Sequence, residues 1–401
     1  MQSAGAPPVV AVVVTHEPGP WMEACLASLA AQDYPSCSIL VVDQASTTEL
    51  AGRVATVAPS AYLWRCEDNH GFGPGANEVL QLVEGAAFYL FCHDDVVLRP
   101  HALHQLVEEA FRSNAGVVGP KLVDEEAPER ILQLGLGVDR LGAPVRRIGR
   151  HEVDQAQHDE VAEVFAVPGG CTLVRADLFG AIGGFDPEIR LLGEDVDLCW
   201  RARLAGARVV VTPAAVVGHL EATASRRRPC PEARSLQWRH ELRAVLKNYG
   251  RLRRSFAVAQ LLVLSLAEIA YFAAIGKTWR ARQVVDAWRW NLATARRLGD
   301  ARAAVATMRR VPERDVCALL ARRSLRVSRF AWPMLEARAA ARRARPRPAA
   351  ERSPAAAVPS GRRPRGVVAV AVVAALVLLV GSRSLVTGAF PVVGGLLPIP
   401  S

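Results

Sequence analysis

"PVVAVVVTH" (8–16) decides the fold. It is an unbroken, mostly β-branched run that ends in polar residues, without the alternation of a half-solvated strand. The run therefore reads as a first strand buried on both faces. No Lys or Arg precedes it, which argues against a secretory signal peptide. "SILVVDQAS" (38–46) and "AAFYLFCHDD" (86–95) repeat the pattern. Helical spacing fills "WMEACLASLAAQ" (21–32), "PGANEVLQLVEG" (74–85) and "PHALHQLVEEAFRSN" (100–114). Strand alternating with helix predicts an α/β fold on an open, mostly parallel sheet. Ligands bind such sheets where strands end at their carboxyl edge. Thr15, His16, Glu17, Asp43, His93, Asp94 and Asp95 fall there.

From 116 to 220 the pattern is mixed. "GVVGPKLVD" (116–124) and "FAVPGGCTLVRADLF" (165–179) read as strands joined by a long polar excursion. A carboxylate-rich helix ending near Gly206, a strand "RVVVTP" (208–213) and "AAVVGHLEA" (214–222) follow, as the acceptor half of one domain.

The formal net charge of +10 comes mostly from arginines after about residue 226. Next to long apolar runs, that basicity points to an anionic membrane. Nucleic acid is disfavoured, because no helix-turn-helix, zinc or aromatic-basic signature accompanies the arginines. "RHELRAVLKNYGRLRRS" (239–255) reads as a basic amphipathic helix. "FAVAQLLVLSLAEIAYFAAIG" (256–276) has the roughly 20 residues needed to span a bilayer, though Glu268 raises the cost, and lying in the interface is the alternative. A Pro-rich linker leads to "VVAVAVVAALVLLVG" (367–381), an uncharged run expected to span, with Arg362, Arg363 and Arg365 on the cytoplasmic side. The chain ends soon after, at "GGLLPIPS", so a continuation is expected. The eight cysteines form no CxxC pair and read as reduced core thiols of a cytosolic domain.

Individual motifs admit both functional and bland readings. "FCHDDVV" (91–97) places adjacent acids at the ligand edge, where they suit a divalent cation carrying phosphates or merely cap a turn. "NHGFGPGAN" (69–77) lacks the P-loop lysine and the dinucleotide fingerprint, so its glycines are expected to let backbone approach a ligand closely. Asp43 either binds a ribose hydroxyl or caps a turn. In "LLGEDVDLCWRARLAG" (191–206), Glu194 and Asp195 open a helix beside large apolar neighbours. Capping explains one of them; a carboxylate at the mouth of an apolar pocket also suits a general base. Asp197 lies off that face and is expected to pair with Arg201. His219 is a core histidine or a metal ligand.

Taken in order, these segments, together with "VVVTHEPGPWMEACLASLAAQDYP", "GGCTLVRADLFGAIGGFDP" and "VVGH", resemble glycosyltransferase family 2, inverting enzymes of the GT-A fold. The match covers roughly residues 9–250 and is similar to the rhamnosyl- and galactofuranosyltransferases of bacterial cell-wall polysaccharides. It implies a Rossmann-like nucleotide-sugar-binding domain with a mostly parallel central sheet. Thr15, His16, Glu17, Asp43, Asn69, Gly73, Asn77, His93 and Asp94 would face the nucleotide sugar. Asp94, Asp95 and His219 would hold manganese or magnesium. Asp195 would be the base, supported by Glu194, with Gly169, Gly170 and Trp200 toward the acceptor. The chain departs from the family at His93, where the acidic triplet usually begins, and at His16-Glu17. A sugar nucleotidyltransferase would need a Gly- and basic-rich loop after the first strand, which "THEPGP" does not provide; a non-catalytic membrane scaffold would not need Asp95 and Asp195.

The expected layout is a catalytic domain at 1–220, membrane-associated helices at 221–290, an Arg/Ala/Pro-rich helical region and linker at 291–365, and a transmembrane helix within 366–401. The expected partners are a nucleotide-sugar donor, a glycan or polyprenyl-linked glycan acceptor and membrane lipids. The expected place is the cell membrane, with the catalytic domain cytoplasmic.

Overall fold

The computed structural model describes residues 5–149, 151–222, 230 and 233–321. Of these residues, those through Arg254 and those at 286–321 make one compact unit, and Ser255–Val285 belong to a second.

In the first unit, β1 (Val9–Thr15) is buried along its whole length. It pairs in parallel with β2 (Cys37–Gln44) on one side and β4 (Phe88–His93) on the other. α1 (Met22–Ala30) turns Met22, Cys25, Leu26 and Leu29 inward at helical spacing. Each large apolar side chain so buried contributes about 1.5–3 kcal/mol. α2 (Ala51–Val57) leads to β3 (Tyr62–Cys66), which pairs in parallel with β2 and ends the sheet. This strand escapes the sequence pattern because Tyr62 and Trp64 are exposed on an edge. The helix expected over 74–85 is two short ones, α3 (Phe72–Ala76) and α4 (Val79–Leu82).

β5 (Val96–Leu98), α5 (Ala102–Arg112) and β6 (Ala115–Asp124) follow. The polar excursion folds into β7 (Arg130–Gln133), β8 (Leu136–Val138), β9 (Pro144–Arg146), β10 (Glu152–Val153) and β11 (Ala162–Glu163). β8 and β9 form a separate two-stranded sheet. β12 (Cys171–Arg175) inserts antiparallel between β4 and β6. The strand expected over 165–179 is therefore short, preceded by a turn at Gly169–Gly170 and closed by α6 (Ala176–Ala181). After α7 (Glu194–Leu204), the two segments expected around Pro213 form one strand, β13 (Arg208–His219). It runs parallel to β6 with an irregularity between Thr212 and Val216, and then pairs antiparallel with β5. Pro213, which has no N–H to donate, falls inside that irregularity.

α8 (Ala233–Asn248), the second half of α10 (Thr278–Ala293), α11 (Ala295–Met308) and α12 (Glu313–Ala318) complete this unit. It thus continues past residue 220, and α8 buries His240, Arg243, Lys247 and Asn248 within it. The second unit contains most of α9 (Arg251–Ala274), which among the described residues is the one helix long and apolar enough to cross a membrane. The linker and the apolar run at 367–381 lie outside the described residues.

Candidate active site

Strand register brings the site together. Thr15 lies opposite Asp43, Asp43 opposite Arg65, and Val14 opposite His93. Thr15 is buried and its hydroxyl donates to Asp94 Oδ2 at 2.5 Å, tying the ends of β1 and β4. His16 Nδ1 donates to the Gln44 carbonyl at 2.7 Å. The Glu17 amide donates to Ser46 Oγ at 2.9 Å, and its carboxylate accepts from the Thr47 amide at 2.6 Å, which lowers its pKa. Asp43 is buried and accepts from the Ser46 amide at 3.0 Å, with Arg65 Nη1 3.8 Å away. Two loops are thereby fixed, leaving His16, Glu17 and Arg65 at the rim.

Beyond β4, one ligating atom each from His93, Asp95 and His219 lies within 4.8 Å of the others. His219 Nε2 is 3.2 Å from Asp95 Oδ1 and His93 Nδ1 is 3.9 Å from it. Asp95 Oδ2 accepts from the Ala222 amide at 2.8 Å. Burial opposes ionising Asp95, but His219, His93 and that amide hold its pKa well below the ordinary value. Burial likewise opposes charging His219, yet the Asp95 carboxylate raises its pKa. Two imidazoles around an ionised carboxylate can bind a divalent cation.

The third part is the start of α7. Asp195 accepts from the Gly169 amide at 3.2 Å and from its neighbour Val196 at 2.7 Å. Glu194 is 4% exposed and its Oε2 has no hydrogen-bond partner among the described residues. Burial, and then the charge of Asp195, push Glu194 up to about 8. Burial also raises Asp195, against the two amides. The carboxylates border a small cavity whose other walls include Phe72, Phe91, Val167 and Phe185. A Cβ added at Gly169 would lie 3.3 Å from Glu194 Oε1, 3.7 Å from Asp195 Cβ and 3.7 Å from His93 Nε2. One at Gly170 would lie 3.2 Å from His219 Nδ1. A bare turn of two glycines therefore joins the carboxylate pair to the histidine–aspartate group.

Residues 7–237 match the family described as "Glycosyltransferase like family 2". The chain belongs to this family. As a family 2 glycosyltransferase it is 31% identical over 244 residues to an N-acetylglucosaminyl-diphospho-decaprenol L-rhamnosyltransferase of Mycobacterium tuberculosis, covering 55% of this chain and 78% of that protein. It is 28% identical over 233 residues to the O-antigen biosynthesis protein RfbC of Myxococcus xanthus, covering 56% of this chain and 18% of that one. A solved structure of TarS 1–349 of S. aureus with UDP-GlcNAc aligns over 79% of this chain and 84% of that chain, at 20% identity and a TM-score of 0.47.

Several residues of the glycosyltransferase sit elsewhere than expected. Asp94 is fully buried against Thr15, outside the group of possible metal ligands, and His93 takes its place there. His93 is the last residue of β4, and the turn that follows it sends Asp94 toward Thr15 and Asp95 toward His219. Trp200 is 1% exposed and packs edge-on against Phe165 and Tyr249, which leaves its ring no open face for an acceptor. Asn77 is committed to Phe185, donating to its carbonyl at 2.9 Å and accepting from its amide at 2.7 Å. The glycine loop packs closely against protein backbone. A Cβ at Gly73 would stand 2.9 Å from the Ile189 carbonyl, and one at Gly71 (φ +90°) would collide with that of Arg190. Asn69 is exposed; its Oδ1 accepts from the Gly71 amide, and Arg190 donates to its carbonyl. Arg65 and Arg190 were not foreseen. A strand assignment for "YLWRC" would have placed Arg65 at the edge.

Proposed function

We propose that this glycosyltransferase moves a sugar, with inversion, from a nucleotide-sugar donor to a hydroxyl of a lipid-linked or cell-envelope glycan. The observation that carries the reading is the Gly169–Gly170 turn, which sets Glu194 and Asp195 beside His93 and His219 with no side chain between them. Similarity to the mycobacterial N-acetylglucosaminyl-diphospho-decaprenol L-rhamnosyltransferase favours a polyprenyl-diphosphate glycan as acceptor.

Asp195 takes the proton from the acceptor hydroxyl as its oxygen attacks the anomeric carbon. The bond from that carbon to the diphosphate oxygen breaks on the far side, and the nucleoside diphosphate leaves. One displacement needs one base. Glu194 retains its proton below about pH 8, so the negative charge of the pair stays on Asp195 and the Glu194 O–H is available to donate. His93, Asp95 and His219 would hold the cation, with manganese suiting the mixed nitrogen and oxygen donors better than magnesium. When bound, the cation offsets charge growing on the diphosphate. His16, Glu17, Arg65 and Asn69 line the nucleotide side, over a layer of Thr15, Asp43 and Asp94 that fixes their loops.

Membrane attachment belongs to the same proposal. On α9, Leu252, Phe256, Leu262 and Leu266 are exposed, and Arg251, Arg253 and Arg254 stand at its start. An apolar face bordered by arginines suits the boundary of an anionic bilayer on the cytoplasmic side. The test of function is incubation with uridine, guanosine and deoxythymidine diphosphate sugars, following nucleoside diphosphate release with and without a polyprenyl-diphosphate glycan. Release with none of them would overturn the reading.

A further inference from the structure

Basic helix α8 was expected at a membrane surface, yet its polar residues point inward. His240, Arg243, Lys247 and Asn248 recur at helical spacing on one face, and each is at most 3% exposed. Their partners all flank Glu194 and Asp195. His240 Nδ1 donates at 2.8 Å to the carbonyl of Leu192, which with Gly193 forms a left-handed turn (φ 67° and 107°) immediately before α7. Arg243 grips Asp186 through two nitrogens at 2.9 and 3.1 Å. Lys247 Nζ bridges Asp186 at 2.5 Å and Asp197 at 2.7 Å. Asn248 donates to Asp197 Oδ1 at 3.1 Å. Arg201 closes the network, donating to Asp197 at 2.9 Å and to the carbonyls of Ile182 and Gly184 at 2.8 and 2.6 Å. Asp186 adjoins Phe185, a wall of the cavity beside Asp195.

Burying this many charges is a poor way to gain stability, because desolvation offsets most of the attraction and apolar packing of equal volume does as well. What the network supplies is geometry. Leu192 is a branched residue held at positive φ, a conformation that persists only when its surroundings impose it. We infer that α8 is the positioning element of the base, with His240 and Lys247 fixing the Leu192–Gly193 turn and the first turns of α7 so that Asp195 faces the acceptor hydroxyl. This rests on the reading of Asp195 as the base.

The experiment uses the full chain and the donor that gives most nucleoside diphosphate release in the panel above. His240→Ala should lower kcat about tenfold, as expected for a lost positioning hydrogen bond, with donor KM unchanged. His240→Asn, whose amide N–H can reach the same carbonyl, should restore most of the rate. Amide exchange at residues 192–198 should quicken in the alanine variant and recover in the asparagine one. Lys247→Met should cost more; if it does not fold, the His240 pair decides. A folded His240→Ala with normal kcat overturns the inference, as does loss of donor affinity in step with kcat or a failure of His240→Asn to rescue. If Asp195→Asn is inactive while His240→Ala is fully active, only the role of α8 falls. If Asp195→Asn turns over normally, the base assignment falls and takes this inference with it.

Discussion

Asp195 and Asp197 stand two residues apart on one helix, yet α7 gives them opposite surroundings. Asp195 faces an apolar cavity and a second carboxyl group, with the amides of Gly169 and Val196 to steady its charge, and its pKa rises. Asp197 is completely buried, but Lys247, Arg201 and Asn248 surround it, and against burial Lys247 and Arg201 lower its pKa. A carboxylate kept basic can accept a proton; one held by cations cannot do so usefully and instead ties elements together. Which face of the helix a carboxylate occupies decides between chemistry and architecture.

The comparison breaks first at Asp195. Asp195→Asn keeps size and removes the proton acceptor, so transfer should fall by roughly 10²–10⁴-fold while donor affinity, measured by calorimetry, holds. Asp197→Ala takes a buried carboxylate partner from both Lys247 and Arg201 and should cost about 3–5 kcal/mol of stability, read from denaturant unfolding, with a far smaller loss of turnover per folded molecule than at Asp195. A variant pair with these outcomes exchanged would invert the assignment of the two acids.

At the histidine–aspartate group, chelation should stop transfer and manganese should restore it. His93→Ala should raise the manganese needed for half-activity by at least the roughly 10–100-fold typical of changes around a metal site, whereas Asp94→Asn should act mainly on stability through Thr15. Equal manganese requirements in His93→Ala and the parent would return the ligand role to Asp94.

The gentlest test is pH. Glu194 is an acid whose pKa rises from 4.5 to about 8 on folding, so its contribution to stability is fully present below 4.5 and lost as pH climbs through about 8. Asp197 is lowered from 3.8, so its contribution is present above 3.8 and disappears only in stronger acid. Glu194→Gln should therefore flatten the decline in melting temperature between about pH 5 and 8 and leave the acid limb unchanged. An unaltered slope would mean that Glu194 is ionised at neutral pH.

Much of this was legible in the sequence wherever local pattern and burial coincide. The runs that became β1, β2 and β4 are apolar because both faces are covered, and "EDVDLCWR" reads as a helix start. β3 was missed because an edge strand need not be apolar, and Arg65 was lost with it. The exchange of Asp94 for His93 was not legible, because β4 ends at His93 and the turn after it, not strand alternation, directs Asp94 to Thr15 and Asp95 to His219. The true setting of Trp200 was not, because a buried tryptophan and an acceptor platform share the same letters. Nor was α8. Its charges look solvated until Asp186 and Asp197, 61 and 50 residues from Lys247 along the chain, are brought against them.

The His93 amide donates to the Gly170 carbonyl at 3.0 Å, where the end of β4 meets the start of β12. The histidine–aspartate group and the carboxylate pair thus share one rung of an antiparallel ladder. Under the proposed roles, any change that shifts this rung to suit a new acceptor also displaces the group proposed to anchor the donor, so the two specificities are mechanically tied.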